Sequence, residues 1–228
     1  MAIREAGRLK TLKLLAIDLD GTLVDSAPDL TVAVNAALKA LLLPVADEPS
    51  VRGWIGDGVD VLLERALEAQ GGDRIAQLPA ARAAFADTYS KHLFDRSRLY
   101  DGVPETLVEL RDLGLKLACV TNKREVFARA VLEQAGIIDA FELVIGGDTL
   151  PLRKPDPLPL TTAAQHFSVT PEQSAMVGDS HHDLSAADAA GFSFFWARYG
   201  YCADPGPMDP QRCRRIDGFS ELLGFLSA

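Results

Sequence analysis

The sequence predicts an α/β protein with a doubly wound parallel sheet as its core and an all-helical cap inserted into it. Three observations predict it. Short, nearly continuous apolar runs recur along the chain, and they alternate with helical segments from about residue 99 onward. A long stretch after the first run has helical periodicity and no strand-like segment.

The runs are LKLLAI, LKLACV, ELVIGG, SAMVGD and FSFFWA. They are apolar throughout rather than at alternate positions, as strands buried on both faces must be. Between them, PETLVELRDLG starts with Pro104 and Glu105 and stops at Gly114, the asymmetry of helix ends. REVFARAVLEQAG and HDLSAADAAG likewise finish on Gly136 and Gly191. In the earlier stretch, PDLTVAVNAALKALLL places Leu30, Val34, Leu38 and Leu41 on one helical stripe, and VDVLLERALEAQ and PAARAAFADTYSKHL read as two more helices. The expected division is therefore a Rossmann-like core of residues 1–22 and 98–228 and a helical cap of residues 23–97. A cap inserted there covers the carboxyl edge of the sheet, where open α/β folds bind their ligands. ADPGPMDPQR reads as a proline-rich surface loop, and the opening MAIREAGRLK as a frayed extension.

At 228 residues, 48% hydrophobic and 24% charged, the chain has the composition of a soluble globular protein with a sizeable core. Its net charge of −9 argues against nucleic acid as a partner, because a polyphosphate backbone calls for a basic face. A small anionic substrate stays open, since local cations can reverse the field within one cleft. Cys119, Cys202 and Cys213 are odd in number and lack CxxC spacing, which excludes a disulfide framework and fits a cytoplasmic location. The opening decapeptide has no apolar h-region, and Asp18 and Asp20 interrupt the run that follows, so neither a signal peptide nor a membrane span is expected.

The first run stops abruptly in DLDGT. Side chains two apart in an extended segment point the same way, so Asp18 and Asp20 can face one pocket. Two close carboxylates repel unless one is protonated or a cation joins them, and Mg²⁺ suits such oxygen donors. Gly21 permits a tight turn, and Thr22 offers a hydroxyl or a backbone donor. Taken alone, the motif equally describes an Asx-rich turn capping the next element. Three further segments carry more weight: ACVTN ends a run on Thr121 and Asn122, RKPDP holds Lys154, and MVGDSHHDL ends a run on Asp179 with Asp183 four residues on. In a parallel sheet these ends share one edge, so groups remote in sequence can meet.

Those segments, in that order, resemble the haloacid dehalogenase superfamily, with D-x-D-x-T, a Ser or Thr after a second strand, a Lys, and G-D-x-x-x-D. The resemblance implies that Asp18 is the nucleophile and forms an aspartyl-phosphate, that Asp20 is general acid and then base, and that Thr121 and Lys154 bind phosphoryl oxygens. It also implies Mg²⁺ on Asp18, the Asp20 carbonyl and Asp179, with Asp183 in support. Dehalogenases of the superfamily lack the second aspartate, because displacing halide needs no acid on an alkoxide, so Asp20 points to a phosphatase or a phosphomutase. The opening, GWIGDGVDVLLERAL, VTNK and RYGY are similar to the phosphoglycolate phosphatase subgroup. That implies 2-phosphoglycolate as substrate, with sugar phosphates, pyrophosphate, phosphomutase activity or non-catalytic phosphate binding as alternatives.

In GWIGDG, Gly56 and Gly58 let a cap loop approach an anion with backbone amides, at the start of a helix whose positive end points the same way. Arg52 is a candidate partner for a substrate carboxylate, and Asn122 and Lys123 are expected to shape the same entrance. His181 and His182 stand where the subgroup usually has an Arg or another polar residue. Zinc is not expected there, because neighbours at a helix start diverge and the other candidate ligands are hard oxygens. The expected partner is a small phosphomonoester, and the expected assembly a monomer or homodimer.

Overall fold

The computed structural model describes residues 11–226; the expected frayed extension at residues 1–10 lies outside them. The chain begins with β1 (Leu14–Ile17) and, after the Asp18–Thr22 turn, forms the two-residue strand β2 (Val24–Asp25). Four helices follow: α1 (Ala27–Ala40), α2 (Glu48–Arg52), α3 (Val59–Ala69) and α4 (Leu78–Tyr89). The chain returns through β3 (Arg98–Leu99), α5 (Val103–Asp112), β4 (Lys116–Val120), α6 (Glu125–Gln134) and β5 (Leu143–Ile145). It ends with α7 (Leu158–His166), β6 (Ser174–Gly178), α8 (His181–Ala190), β7 (Ser193–Ala197), β8 (Cys213–Ile216) and α9 (Glu221–Leu226).

Six parallel strands lie in the order β5-β4-β1-β6-β7-β8. Alternate residues of each inner strand enter different cores. Leu15, Ile17, Leu117, Cys119, Ala175 and Val177 pack on one face, and Leu14, Ala16, Ala118, Val120 and Met176 on the other. Burial on both faces is the reason the runs are continuous in sequence. After β5 the chain crosses β1 to build the opposite half of the sheet, so strand order reverses beside β1, and a crevice opens at its carboxyl end.

The stretch before Tyr100, expected to contain no strand, contains two. β2 and β3 pair antiparallel, Val24 with Leu99 and Asp25 with Arg98, and so fasten the two ends of the helical segment together. Asp29, in the first turn of α1, reinforces the joint by accepting from the backbone N–H of Arg96 at 3.0 Å and of Ser97 at 2.7 Å, and from Ser97 Oγ at 2.6 Å. The four helices share the first core with the sheet through Leu30, Val34, Leu38, Val51, Leu63 and Phe85. β8 was also absent from the sequence reading; it is an edge strand with only one neighbour and carries Arg214 and Arg215.

Candidate active site

Three adjacent strands bring the chemistry together. Asp18 follows β1 and continues the ladder by donating its N–H to Val177 O at 2.9 Å. Thr121 follows β4, and Asp179 follows β6. Lys154, on the loop after β5, is 2% exposed. Its ammonium donates to Val120 O and Asp183 Oδ1, both at 2.6 Å, and lies 3.0 Å from Asp18 Oδ1. Burial by itself favours the neutral amine, but Asp18 and Asp183 outweigh it and hold the pKa above the ordinary lysine range.

The carboxylates show the opposite balance. Burial raises the Asp18 pKa from 3.8 to about 6, with Lys154 pulling it down and Asp183 pushing it further up. Burial likewise raises Asp179 well above its usual range, and Asp183 and Asp18 add to it, although the Tyr201 N–H donates to Asp179 Oδ2 at 2.6 Å. One oxygen each from Asp18, Asp179 and Asp183 lies within 4.8 Å of the others, and all three residues are buried. Three buried carboxylates beside one lysine are short of positive charge, and their oxygens are hard donors, so the set fits Mg²⁺. Asp183 has its oxygens engaged: Oδ1 by Lys154, and Oδ2 by the Ser180 N–H at 3.0 Å and Oγ at 2.6 Å. That leaves Asp18 and Asp179 as the donors facing the crevice, with Asp183 behind them.

The Asp20 carboxylate stands apart from that cluster. Lys123 Nζ lies 3.0 Å from both of its oxygens, and Ser26 Oγ donates to Oδ1 at 2.5 Å. Lys123 is itself buried, with its ammonium 4.8 Å from the Tyr89 ring centre. Burial lowers its pKa, but Asp20 reverses the balance and keeps it above the ordinary range. Between the aspartates and their partners, Gly21 adopts φ +83°, and a Cβ there would come within 2.5 Å of Asp179 Oδ2. Only glycine closes this turn against the carboxylate.

A cavity of about 350 Å³ lies between the sheet edge and the helices. Asp18, Asp20, Thr121 and Asp179 line its floor, and Arg52, Gly56 and Gly58 line its roof, with Asn122 and Lys123 on the wall. Thr22 is fully buried and does not reach it. Lys154 stands behind the wall, against Asp18. Asn122 is spent on structure: its Nδ2 donates to Gly56 O at 3.0 Å and to Lys154 O at 2.9 Å, tying a roof loop to a floor loop.

A family model described as haloacid dehalogenase-like hydrolase matches residues 15–197. The chain belongs to the haloacid dehalogenase-like hydrolases. It is 42% identical over 221 residues to the phosphoglycolate phosphatase of Nitrosococcus oceani, covering 96% of this chain and 98% of that protein. It is 44% identical over 202 residues to the phosphoglycolate phosphatase of Vibrio cholerae, covering 85% and 87%. Among solved structures, a predicted phosphoglycolate phosphatase from Haemophilus somnus 129pt superposes with a TM-score of 0.88 at 37% identity, over 94% of this chain and 97% of that one.

Sequence reasoning about this haloacid dehalogenase-like hydrolase missed the residues that join the site to the helical segment. The Tyr201 hydroxyl accepts from the N–H groups of Ser26 at 2.7 Å and Ala27 at 3.0 Å and donates to Asp25 Oδ1 at 3.0 Å. The Arg52 guanidinium lies 4.8 Å from the Tyr201 ring centre and pairs with Asp25 at 3.2 Å and Glu48 at 2.9 Å. RYGY was visible as a motif, but neither it nor the serine after VD announces a contact 175 positions apart. The histidine pair of this hydrolase is also structural in part. The two rings lie 3.8 Å apart, and His182 Nε2 is 2.6 Å from Asp57 Oδ1 in the roof loop. Among the described residues, no helix is long and apolar enough to cross a membrane.

Proposed function

We propose that this hydrolase is a Mg²⁺-dependent phosphatase that converts 2-phosphoglycolate to glycolate and phosphate through an aspartyl-phosphate on Asp18. The observation that carries the reading is a pair of differently held carboxylates on the floor of one cavity: Asp18 beside Lys154 and Asp179, and Asp20 beside Lys123 and Ser26. The names of the relatives, phosphoglycolate phosphatase, support the choice of substrate.

The division of labour follows from those environments. An Asp18 oxygen attacks phosphorus in line as the ester P–O bond breaks, and Asp20 delivers a proton to the departing glycolate oxygen. Asp20 then takes a proton from the water that cleaves the acyl phosphate and regenerates Asp18. In this reading the Thr121 hydroxyl faces the transferring oxygens, and Lys154, held against Asp18 behind the cavity wall, keeps a fixed positive charge beside the reacting carboxylate, so little reorganisation is needed as charge moves. Asp18, Asp179 and the Asp20 carbonyl, with Asp183 in support, would hold Mg²⁺, which would supply neutralising charge for the phosphoryl group. Arg52 at the roof offers a guanidinium to the substrate's carboxylate, and the Gly56–Gly58 loop offers amides. Residues 23–97 act in this reading as a cap over a core of residues 1–22 and 98–228. The enzyme works in the cytoplasm as a monomer or homodimer.

The test is phosphate release by purified protein from 2-phosphoglycolate, sugar phosphates and pyrophosphate, with EDTA and with added Mg²⁺. Hydrolysis that prefers 2-phosphoglycolate, stops in EDTA and returns with Mg²⁺ is expected. Phosphorus NMR showing isomerised sugar phosphate without released phosphate would replace the reading with a mutase.

A further inference from the structure

We infer that His182 is a positioning residue that latches the substrate-facing roof loop, through Asp57, onto the first turn of α8. The inference rests on the phosphatase reading for its kinetic consequence and on geometry alone for the contact. His181 and His182 open α8, whose N-terminal turn is fixed by a capping box between Ser180 and Asp183. His182 is therefore anchored on the same turn as Asp179 and Asp183. From there its Nε2 lies 2.6 Å from Asp57 Oδ1, a close approach of ring and carboxylate without the alignment of a hydrogen bond, and its Cδ2 lies 3.7 Å from where a Cβ on Gly56 would stand. Asp57 is shared with Arg65 of α3, whose Nη2 lies 2.6 Å from Oδ2.

Within the helical segment the loop that carries Asp57 is held by Arg65, which also donates Nη1 to Trp54 O at 3.0 Å, but its ties to the sheet edge are few. Gly56 and Gly58 have φ values of +129° and +86°, a backbone course that glycine permits and that other loops with glycine can readily leave. Its one other tie to the floor is the Asn122 Nδ2 bond to Gly56 O at 3.0 Å, among the described residues. The two ties come from different elements, one from the end of β4 and one from α8. Together they hold the Gly56–Gly58 backbone over Asp18 and Asp20 before any substrate arrives. Preorganisation of this kind lowers the ordering cost of binding, so its loss is read in KM rather than in the chemical step.

The experiment compares wild type with His182→Ala, His182→Gln, Asp57→Asn and the Asp57→Asn/His182→Ala pair. Two readouts are taken: steady-state hydrolysis of 2-phosphoglycolate with Mg²⁺, and amide hydrogen exchange by mass spectrometry over residues 53–62 of the free protein. His182→Ala should raise KM by about three- to tenfold, the loss of one close ring–carboxylate contact, with kcat changing less than about twofold. Exchange of the loop peptide should quicken by a similar factor. His182→Gln, which returns an amide nitrogen near the position of Nε2, should restore most of both effects. In the cycle, the pair should cost clearly less than the two single changes added, because they remove the same contact. Unchanged loop exchange in His182→Ala, or strictly additive effects in the cycle, would overturn the latch. If no phosphomonoester is hydrolysed, the phosphatase reading falls and the exchange data alone decide the latch.

Discussion

Replacing Asp18 with Asn should abolish turnover and, in the absence of metal, make the protein more stable. The second half follows from the charge balance of the site. Burial raises the Asp18 pKa from 3.8 to about 6, even after Lys154 has contributed its attraction. A folded-state pKa above the unfolded one means that the folded protein holds the proton more tightly, so this stability is fully present below about pH 4 and is lost as pH rises through about 6. At pH 7 the ionised carboxylate costs about 3 kcal/mol, since each pKa unit is worth about 1.4 kcal/mol. Asparagine cannot ionise and escapes the cost. For a chain of this size about 3 kcal/mol corresponds to a rise in Tm of about 6–12 °C.

The assay is calorimetry or circular dichroism in EDTA from pH 4 to pH 7.5, repeated with Mg²⁺. The variant's advantage should be absent at pH 4, open through pH 6 and, on the proposed Mg²⁺-dependent reading, shrink when Mg²⁺ is added, since an ion bound only by the folded wild type would stabilise it. Loss of the nucleophile should lower kcat by about 10⁴- to 10⁶-fold. A variant that melts below wild type in EDTA at pH 7 would refute the charge balance, and one that turns over at near-normal rate would refute the role of Asp18.

Lys154→Met removes the cation from a buried cluster and leaves Asp18 and Asp183 facing each other; it should cost about 3–5 kcal/mol in urea denaturation and eliminate phosphate release. Lys123→Met strips Asp20 of its ion-pair partner, and kcat should fall by about 100-fold or more while a circular dichroism spectrum shows the fold retained. Tyr201→Phe leaves the N–H groups of Ser26 and Ala27 without their acceptor, and denaturant titration should show a loss of about 1–3 kcal/mol.

The inner strands were legible because burial on both faces leaves a continuous apolar run, as in Leu14–Ile17 and Lys116–Val120. β8 was not, because an edge strand with one neighbour tolerates Cys213, Arg214 and Arg215 and so carries no such run. β2 and β3 are too short for any periodicity; their pairing is a property of two chain segments meeting, and neither segment declares it. At the site, Asp18, Thr121 and Asp179 could be picked out because each stands just past a strand end with a chemically specific side chain, and Lys154, on the loop after β5, by its RKPDP segment. Thr22 was misleading. Its place in the motif suggests a hand on the substrate, yet the turn at Gly21 sends it into the interior. The partners of Asp20 and His182 were invisible for another reason, since Lys123 is 103 positions from Asp20, and the roof loop meets α8 only after the chain has folded back.

The joint at Val24 and Leu99 has a consequence for how such a chain can vary. Both crossings between the helices and the sheet pass through neighbouring rungs of one ladder, so the span from Ser26 to Ser97 leaves and rejoins the sheet at a single point. No strand of the six-stranded sheet lies within that span, so a change in its length need not alter the strand order. The span nevertheless reaches the site through Ser26 on Asp20 and Asp57 beside His182, so a replacement has to keep those contacts for the carboxylates to keep their places.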